Sequence, residues 1–415
     1  MKRVAVIGSG IAGLSAAHYL SRKHEVHVFE RDNRLGGHTH TVTVDSPAGP
    51  LPVDTGFIVH NERTYPNFCR LMRDLEIETQ ASDMSFAVTG ENGGFEYSSR
   101  GLGGFFAQKK NYLSPLHYTL LREIMRFNRE APKVLEDENA EGMTLGEFLA
   151  AGGYADVFIE RYLIPMAGAV WSMAPDAMAG FPARTLIRFM RNHGMLGIHT
   201  HPQWKVIRGG SHAYIAPLTR PFAKRISQGA DISAVERGEK GVTLRFRDAH
   251  AQQFDEVVFA CHGDQILPLL AQPVGVEREV LGSFTTTRNE ACLHTDSKLL
   301  PRRPAARASW NYVLGDAGKV TVTYDMNRLQ SLHTAENYCV TLNANGSVDP
   351  ARALRRMIYE HPLYTRAAIR AQERWHEISG KNHTHFCGAY WFYGFHEDGV
   401  RSGLRVAQSL GVACQ

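Results

Sequence analysis

Gly8, Gly10 and Gly13 stand at the spacing Gly-x-Gly-x-x-Gly, directly after the apolar run Val-Ala-Val-Ile at residues 4–7. The chemistry this spacing serves is diphosphate binding. A glycine at 8 lets the chain turn sharply out of a strand. One at 10 lets a diphosphate approach the backbone, and one at 13 lets helix and strand pack closely. The first N–H groups of the following helix then face the anion. Glu30 ends a second apolar run, and its carboxylate can accept hydrogen bonds from ribose hydroxyls. These groups converge only if three elements hold them. The pattern predicts a buried strand over 4–7, a helix carrying Ser15, Ala16, Ala17 and Leu20, and a strand over 26–29. Together they form a dinucleotide-binding fingerprint in its full strand–helix–strand context.

The following residues select the dinucleotide. Residues 31–37 read Arg-Asp-Asn-Arg-Leu-Gly-Gly, and 53–56 read Val-Asp-Thr-Gly. With the fingerprint, this stretch resembles the flavin-containing amine oxidase superfamily, which also holds carotenoid desaturases and protoporphyrinogen oxidases. Arg34, Gly36, Gly37, Asp54 and Gly56 match its pattern position by position. The resemblance implies FAD rather than NAD. It also implies an α/β fold: a Rossmann-like FAD-binding domain with an interleaved α+β substrate domain. Arg34 offers a planar fork of donors to a ribose or phosphate.

Two later segments extend the resemblance. Residues 206–210 read Val-Ile-Arg-Gly-Gly, where the superfamily chain re-enters its FAD domain, and the backbone of Val235 is expected at the adenine. Residues 386–404 carry Gly388, Glu397, Asp398, Gly399 and Gly403, with a helix expected over 400–410 whose N-terminus faces the flavin. Asp398 is an alternative contact to the ribityl or pyrophosphate. Cys387 adjoins Gly388 and does not match the flavin-linking cysteine of monoamine oxidases, so the implied FAD is noncovalent. No second glycine fingerprint occurs, and Gly-Asp-Ala-Gly-Lys at 315–319 is too short for a P-loop. Use of NAD(P)H stays open.

The expected division is an FAD-binding domain from 1–75, 205–285 and 375–415, with a substrate domain from 76–204 and 286–374. Helices are expected over 65–75, 116–131, 155–163, 185–193 and 351–358, and Thr144 with Glu147 predicts a capping box. The proline at 165 is expected to kink or stop its helix. Strands are expected over 84–88, 94–97, 231–235, 242–246, 256–260, 291–295, 320–325 and 338–342.

Length and 43% hydrophobic content allow a large core, and a net charge of +4 does not indicate a nucleic-acid partner. Six dispersed cysteines, Cys414 among them, form no metal or disulfide pattern. His376, His383, His385 and His396 lack metal-ligand spacing, so no metal is expected. The chain reaches its first strand at once and has no spanning run. The expected location is therefore cytoplasmic, with peripheral contact at the inner membrane surface as a variant.

Candidates for the substrate pocket are Tyr162, Met166 and Trp171, with Trp391, Phe395 and His396 from the return loop. Phe395 follows Gly394, where amine oxidases place an aromatic residue that cages the amine. Phe stands here where Tyr is common, which weakens an amine substrate. Asn311, Tyr312, Tyr324, Asp325 and Asn327 offer polar groups, but no spacing selects a general base or any other catalytic residue.

Residues 324–330 (Tyr-Asp-Met-Asn-Arg-Leu-Gln) and 394–399 (Gly-Phe-His-Glu-Asp-Gly) resemble a bacterial subgroup of flavoproteins associated with fatty-acid modification. The resulting expectation is an FAD-dependent oxidoreductase moving hydride to or from flavin N5, with an unsaturated or methyl-branched fatty-acyl lipid as substrate and an unassigned electron acceptor. The alternatives are a flavin amine oxidase on a small molecule, a flavin-assisted lipid isomerase and a non-catalytic flavin scaffold. Residues 181–197 mix Phe181, Leu186, Ile187, Phe189 and Met190 with Arg184, Arg188 and Arg191, as a lipid-facing helix would.

Overall fold

The computed structural model describes residues 1–90, 93–137, 140, 142–171, 175–197, 202–314 and 321–413. The segment 315–319 and Cys414 lie outside the described residues.

The apolar runs at 4–7, 26–29 and 256–259 are strands because a parallel sheet covered on both faces needs near-continuous Val, Ile and Phe. Five parallel strands lie in the order Ile226–Ser227, Glu25–Phe29, Arg3–Ile7, Glu256–Phe259 and Thr384–Phe386. Val4 and Val6 point into a core with Leu14, Val400 and Val406, contributed by the helices Ile11–Leu20 and His396–Ser409. Ala5 and Ile7 point the other way, toward an antiparallel meander of Ile232–Gly238, Gly241–Phe246 and Ala251–Phe254.

A seven-stranded sheet stands beside this layer. Its order is Ala353–Pro362, Thr286–His294, Cys339–Leu342, Thr321–Asp325, Trp310–Val313, Phe86–Thr89 and Glu96–Ser98. Helices between residues 101 and 192 pack against it around one large apolar core. The expected mixed α/β architecture, with a Rossmann-like sheet and a separate α+β region, is the one observed.

Four local expectations are corrected. The helix expected over 351–358 is the strand Ala353–Pro362, which pairs with Thr286–His294 along its length. Its Ala, Leu and Arg content favours helix, but closing a sheet edge outweighs that weak propensity. Pro165 does not end its helix. A π-turn at Ile159–Leu163 precedes it, and the chain continues as Ile164–Trp171. The wider turn accommodates a residue with no N–H. The last helix begins at His396 rather than 400, so Glu397 and Asp398 lie in its first turn. The helix Ala183–Asn192 buries Leu186, Ile187, Phe189 and Met190 in the core and exposes Arg188 and Arg191. Its apolar face is therefore not available to a lipid interface. Among the described residues, no helix is long and apolar enough to cross a membrane.

Candidate functional site

The three glycines of the fingerprint have different reasons to be glycine. Gly8 has φ +106°, and a Cβ there would lie 2.8 Å from the Ala260 carbonyl carbon. A Cβ on Gly13 would lie 2.0 Å from the Gly8 oxygen. Both are demands of packing. Gly10 caps the first helix with an ordinary φ of −64°, and its added Cβ would meet nothing within 4 Å. Space is thus kept open at the helix N-terminus, where backbone donors point.

Glu30 lies across the mouth of this turn. Its Oε2 accepts from the Ser9 N–H at 2.9 Å and the Ser9 hydroxyl at 2.5 Å, and its Oε1 accepts from the Asp32 N–H at 2.9 Å. Gly36 forms a bridge with Gly10 and donates its N–H to the Ser9 carbonyl at 3.0 Å. Arg34 braces that segment, donating to the carbonyls of Gly37 at 2.7 Å and Thr39 at 3.0 Å. Gly56 passes so close to His38 that a Cβ would lie 2.2 Å from its carbonyl oxygen.

Asp54 faces Ser211, accepting from its N–H at 2.8 Å and its hydroxyl at 2.9 Å, and from the Thr41 hydroxyl at 2.6 Å. Burial pushes its carboxyl up to about 6. Val235 is fully buried, and its carbonyl accepts the Ala271 N–H at 3.1 Å. The irregularity of that strand lies earlier, between Ile232 and Ala234.

The last helix lies against the first. A Cβ on Gly399 would sit 2.6 Å from Ile11 Cγ2, and one on Gly403 would sit 2.7 Å from the Ala12 oxygen and 2.8 Å from the Ala16 nitrogen. Contacts advancing in the same direction along both chains mean that the helices run parallel, with their N-termini at one edge of the sheet. Gly388, after the strand Thr384–Phe386, packs on the Tyr390 ring. Glu397 crosses to the helix Pro66–Asp74, accepting from the Asn67 side-chain amide at 2.6 Å and the Phe68 N–H at 2.9 Å. Asp398 accepts the Phe395 N–H at 2.9 Å. Burial, with the Glu397 charge beside it, lifts Asp398 to about 7.

The pocket candidates separate into groups. Phe395 stacks on Phe189 at 5.0 Å and meets the edge of Trp171 at 6.3 Å, and the Trp171 indole N–H donates to the Tyr393 carbonyl at 3.4 Å. Met166 is buried in the same core. Tyr162 packs on Phe158 at 5.5 Å among the helices. Trp391 belongs to a different core, against Phe284 at 4.8 Å. His396 stacks on Phe57 at 3.5 Å, with Nε2 3.0 Å from the Thr39 hydroxyl and 3.2 Å from the Tyr214 hydroxyl. Burial pushes it down to about 3, so its ring is neutral.

One cluster has no counterpart in the sequence reading. His38 lies 5.1 Å from Tyr359, 5.3 Å from His361 and 5.9 Å from His262, ring centre to ring centre. The Tyr359 hydroxyl is 2.8 Å from His40 Nδ1 and 2.8 Å from the Thr55 hydroxyl. Burial, then neighbouring imidazoles, keep His38 well below the usual histidine range and His361 at about 4. The His38 Nε2 atom is buried without a protein partner. An orphaned polar atom beside Gly37 and an open helix N-terminus at Gly10 suit a long polar cofactor lying along this edge. The adjacency of His38 to the glycine pair was the one signal available in the sequence. His262 and His361 had none. Among the described residues, no cluster of His, Cys, Asp or Glu has metal-holding geometry.

Comparison with known proteins agrees with this layout. A wild-type putrescine oxidase bound to putrescine shares 13% identity over 99% of this chain and 98% of its own, at TM-score 0.69. Cyclohexylamine oxidase from Brevibacterium oxydans shares 15% over 99% and 98%, at 0.71. A CLA-producing fatty acid isomerase from P. acnes shares 15% over 99% of both chains, at 0.67. At such identities the likeness is one of fold. Residues 11–336 match the flavin containing amine oxidoreductase family. That span covers most of the chain, and the protein therefore belongs to this family and is a flavin-dependent oxidoreductase.

Proposed function

We propose that this enzyme holds FAD noncovalently along the edge where the two helix N-termini meet, and that it oxidises an amine at the carbon next to nitrogen. The observation that carries the cofactor reading is the open position at Gly10, beside glycines whose neighbours leave no room for a side chain. FAD, when bound, supplies a hydride acceptor at N5.

In this reading Gly8, Gly10 and Gly13 shape the diphosphate cradle, and Glu30 meets the adenosine ribose. Arg34 acts by fixing the Gly36–Gly37 backbone, to which its donors are already committed. Asp54 and Gly56 hold the hairpin against the cofactor edge. Gly388, Glu397, Asp398 and Gly399 set the last helix so that its N-terminus can favour negative charge on the reduced ring. The Val235 carbonyl already accepts the Ala271 N–H, so the adenine contact falls elsewhere on its strand, Ile232–Gly238. Cys387 is wholly buried, and burial pushes its thiol up, which favours a noncovalent flavin.

The amine reading rests on the aromatic cluster of Trp171, Phe189 and Phe395 and on the amine-oxidising proteins of the same fold. Aromatic faces can hold an amine and orient its α-carbon. The second reading, a fatty-acyl substrate, is favoured by the apolar character of the same cluster and by the likeness to a fatty acid isomerase. Anaerobic mixing with alkylamines and with unsaturated fatty acids separates the two. Bleaching of the oxidised flavin band by an amine is expected. Bleaching by acyl chains alone would install the lipid oxidation reading, and double-bond migration without net bleaching would install isomerisation.

A further inference from the structure

The helical lobe carries an apolar surface that the folded chain leaves uncovered. Leu113 is 89% exposed, Leu102 72% and Met125 58%, and Leu116, Tyr112 and Tyr118 are about half exposed. Scattered exposed leucines are ordinary, but a contiguous group marks an interaction surface. Here three aromatic residues tie the centre of the group together. Phe106 stacks on Tyr112 at 4.7 Å and contacts Tyr118 at 5.6 Å, and the Tyr118 hydroxyl donates to the Tyr112 carbonyl at 3.1 Å. Ser114 caps the helix Pro115–Glu130. Leu113 and Leu116 therefore flank a fixed turn.

Charge follows the apolar groups. Residues 109–130 hold five basic side chains against two acidic ones, most of the +4 surplus of the whole chain. Tyr118, Arg122, Met125 and Arg129 alternate along one exposed face of the helix. Glu123 is buried under Arg126, and Glu130 is paired with Arg126 and Arg129.

A cavity of about 430 Å³ opens beside Leu116, lined by Lys110, Asn111, Ser114, His117 and Arg161. Asn111 and His117 are 3% and 2% exposed, yet Asn111 Nδ2 and His117 Nδ1 have no partner. The other His117 nitrogen, Nε2, lies 2.8 Å from the Phe105 carbonyl and must donate to it, which leaves Nδ1 an acceptor. The lining thus holds two cations, Lys110, which also donates to the Gly94 carbonyl, and Arg161, which lies 4.6 Å over the Phe95 ring, with an amide donor for an anion and one acceptor for a hydroxyl.

We propose that this surface docks on an anionic lipid bilayer. Leu102, Leu113, Leu116 and Met125 enter the interface, and the cavity takes a phosphodiester whose headgroup carries a hydroxyl, such as phosphatidylglycerol. The inference does not depend on which substrate the flavin oxidises. It relocates membrane contact from the buried face of Ala183–Asn192 to residues 102–129.

The test is co-sedimentation of the flavin-loaded full-length protein with vesicles of phosphatidylcholine alone and mixed with phosphatidylglycerol or phosphatidylserine. Binding to the anionic vesicles is expected, strongest with phosphatidylglycerol and weakened by salt. The double variant L113E/L116E should lower binding by about tenfold or more with unchanged Tm and flavin content, since neither side chain is buried in the core. K110Q/R161Q should remove the preference for phosphatidylglycerol over phosphatidylserine. Equal recovery with and without anionic vesicles would overturn the proposal. So would full vesicle binding by L113E/L116E, loss of a dimer in that variant without any vesicle binding, or stabilisation by free glycerol phosphate alone.

Discussion

Two adjacent glycines of one motif answer to different constraints, and this makes them separable by mutation. Gly13→Ala drives a methyl into the Gly8 carbonyl, so it should cost about 1–3 kcal/mol of stability and lose flavin as a consequence. Gly10→Ala puts a methyl into open space at a φ that alanine adopts freely. It should keep the Tm of the flavin-free protein while flavin retained through gel filtration falls. A Gly10→Ala protein that keeps its flavin would show that the ligand does not lie against this turn. Asp398 gives a second residue-level expectation. Its folded value of about 7 exceeds the ordinary 3.8, so the folded state holds a proton that the unfolded chain releases. The group therefore costs stability increasingly as pH rises from about 4 to 7. Asp398→Asn keeps an acceptor for the Phe395 N–H and removes that cost. Thermal melts should show its gain in Tm growing over this window and levelling above it.

Among the elements, the contact between the first and last helices matters most for the site, because it sets both N-termini at one edge. Gly403→Ala would place a methyl 2.5 Å from the Ser15 hydroxyl and against the Ala12 and Ala16 backbone. The helices must separate, at a cost of about 1–3 kcal/mol, and flavin release by dilution should quicken. A cap far from the edge supplies the contrast. Thr144 accepts the Glu147 N–H at 3.2 Å and Glu147 accepts the Thr144 N–H at 2.7 Å. Thr144→Ala should cost about 1 kcal/mol in denaturant melts and leave flavin affinity as it was. If both variants lost flavin alike, helix separation would not be the cause.

At the scale of the whole molecule, buried histidines govern the response to acid. Burial holds His40, His60, His193, His294 and His361 at about 4 and His396 at about 3. Their unfolded values are near 6.5, so between about pH 6.5 and 4 the unfolded chain binds protons that the folded chain refuses. Stability contributed by these groups is present above that window and is lost as pH falls through it. Asp54 and Asp398, raised to about 6 and about 7, act in the opposite sense, as do Asp325 and Glu397, which burial also raises. Six histidines outweigh four carboxylates, so calorimetry should give a lower Tm at about pH 5 than at about pH 7.5, with net proton uptake on unfolding.

The strand, glycine turn and helix at residues 3–20 were legible in the sequence because their requirements are local. Glycines needed for a turn and a close approach lie a few residues apart, and a strand buried on both faces must be apolar throughout. The Thr144 and Glu147 cap was legible for the same reason. What tertiary structure alone decided joins residues that no spacing connects. His38 meets His361, Phe395 meets Trp171, and Glu397 caps a helix that begins at Pro66. Residues 353–362 have the composition of a helix and became a strand because a neighbouring edge offered hydrogen bonds along its length. Exposure was likewise undecided by pattern. Two segments mix apolar with basic residues, and the packing of the lobe buried Leu186 and Phe189 while leaving Leu113 and Leu116 in solvent. Amphipathic periodicity determines that a face is apolar, and only the surrounding chain determines what covers it.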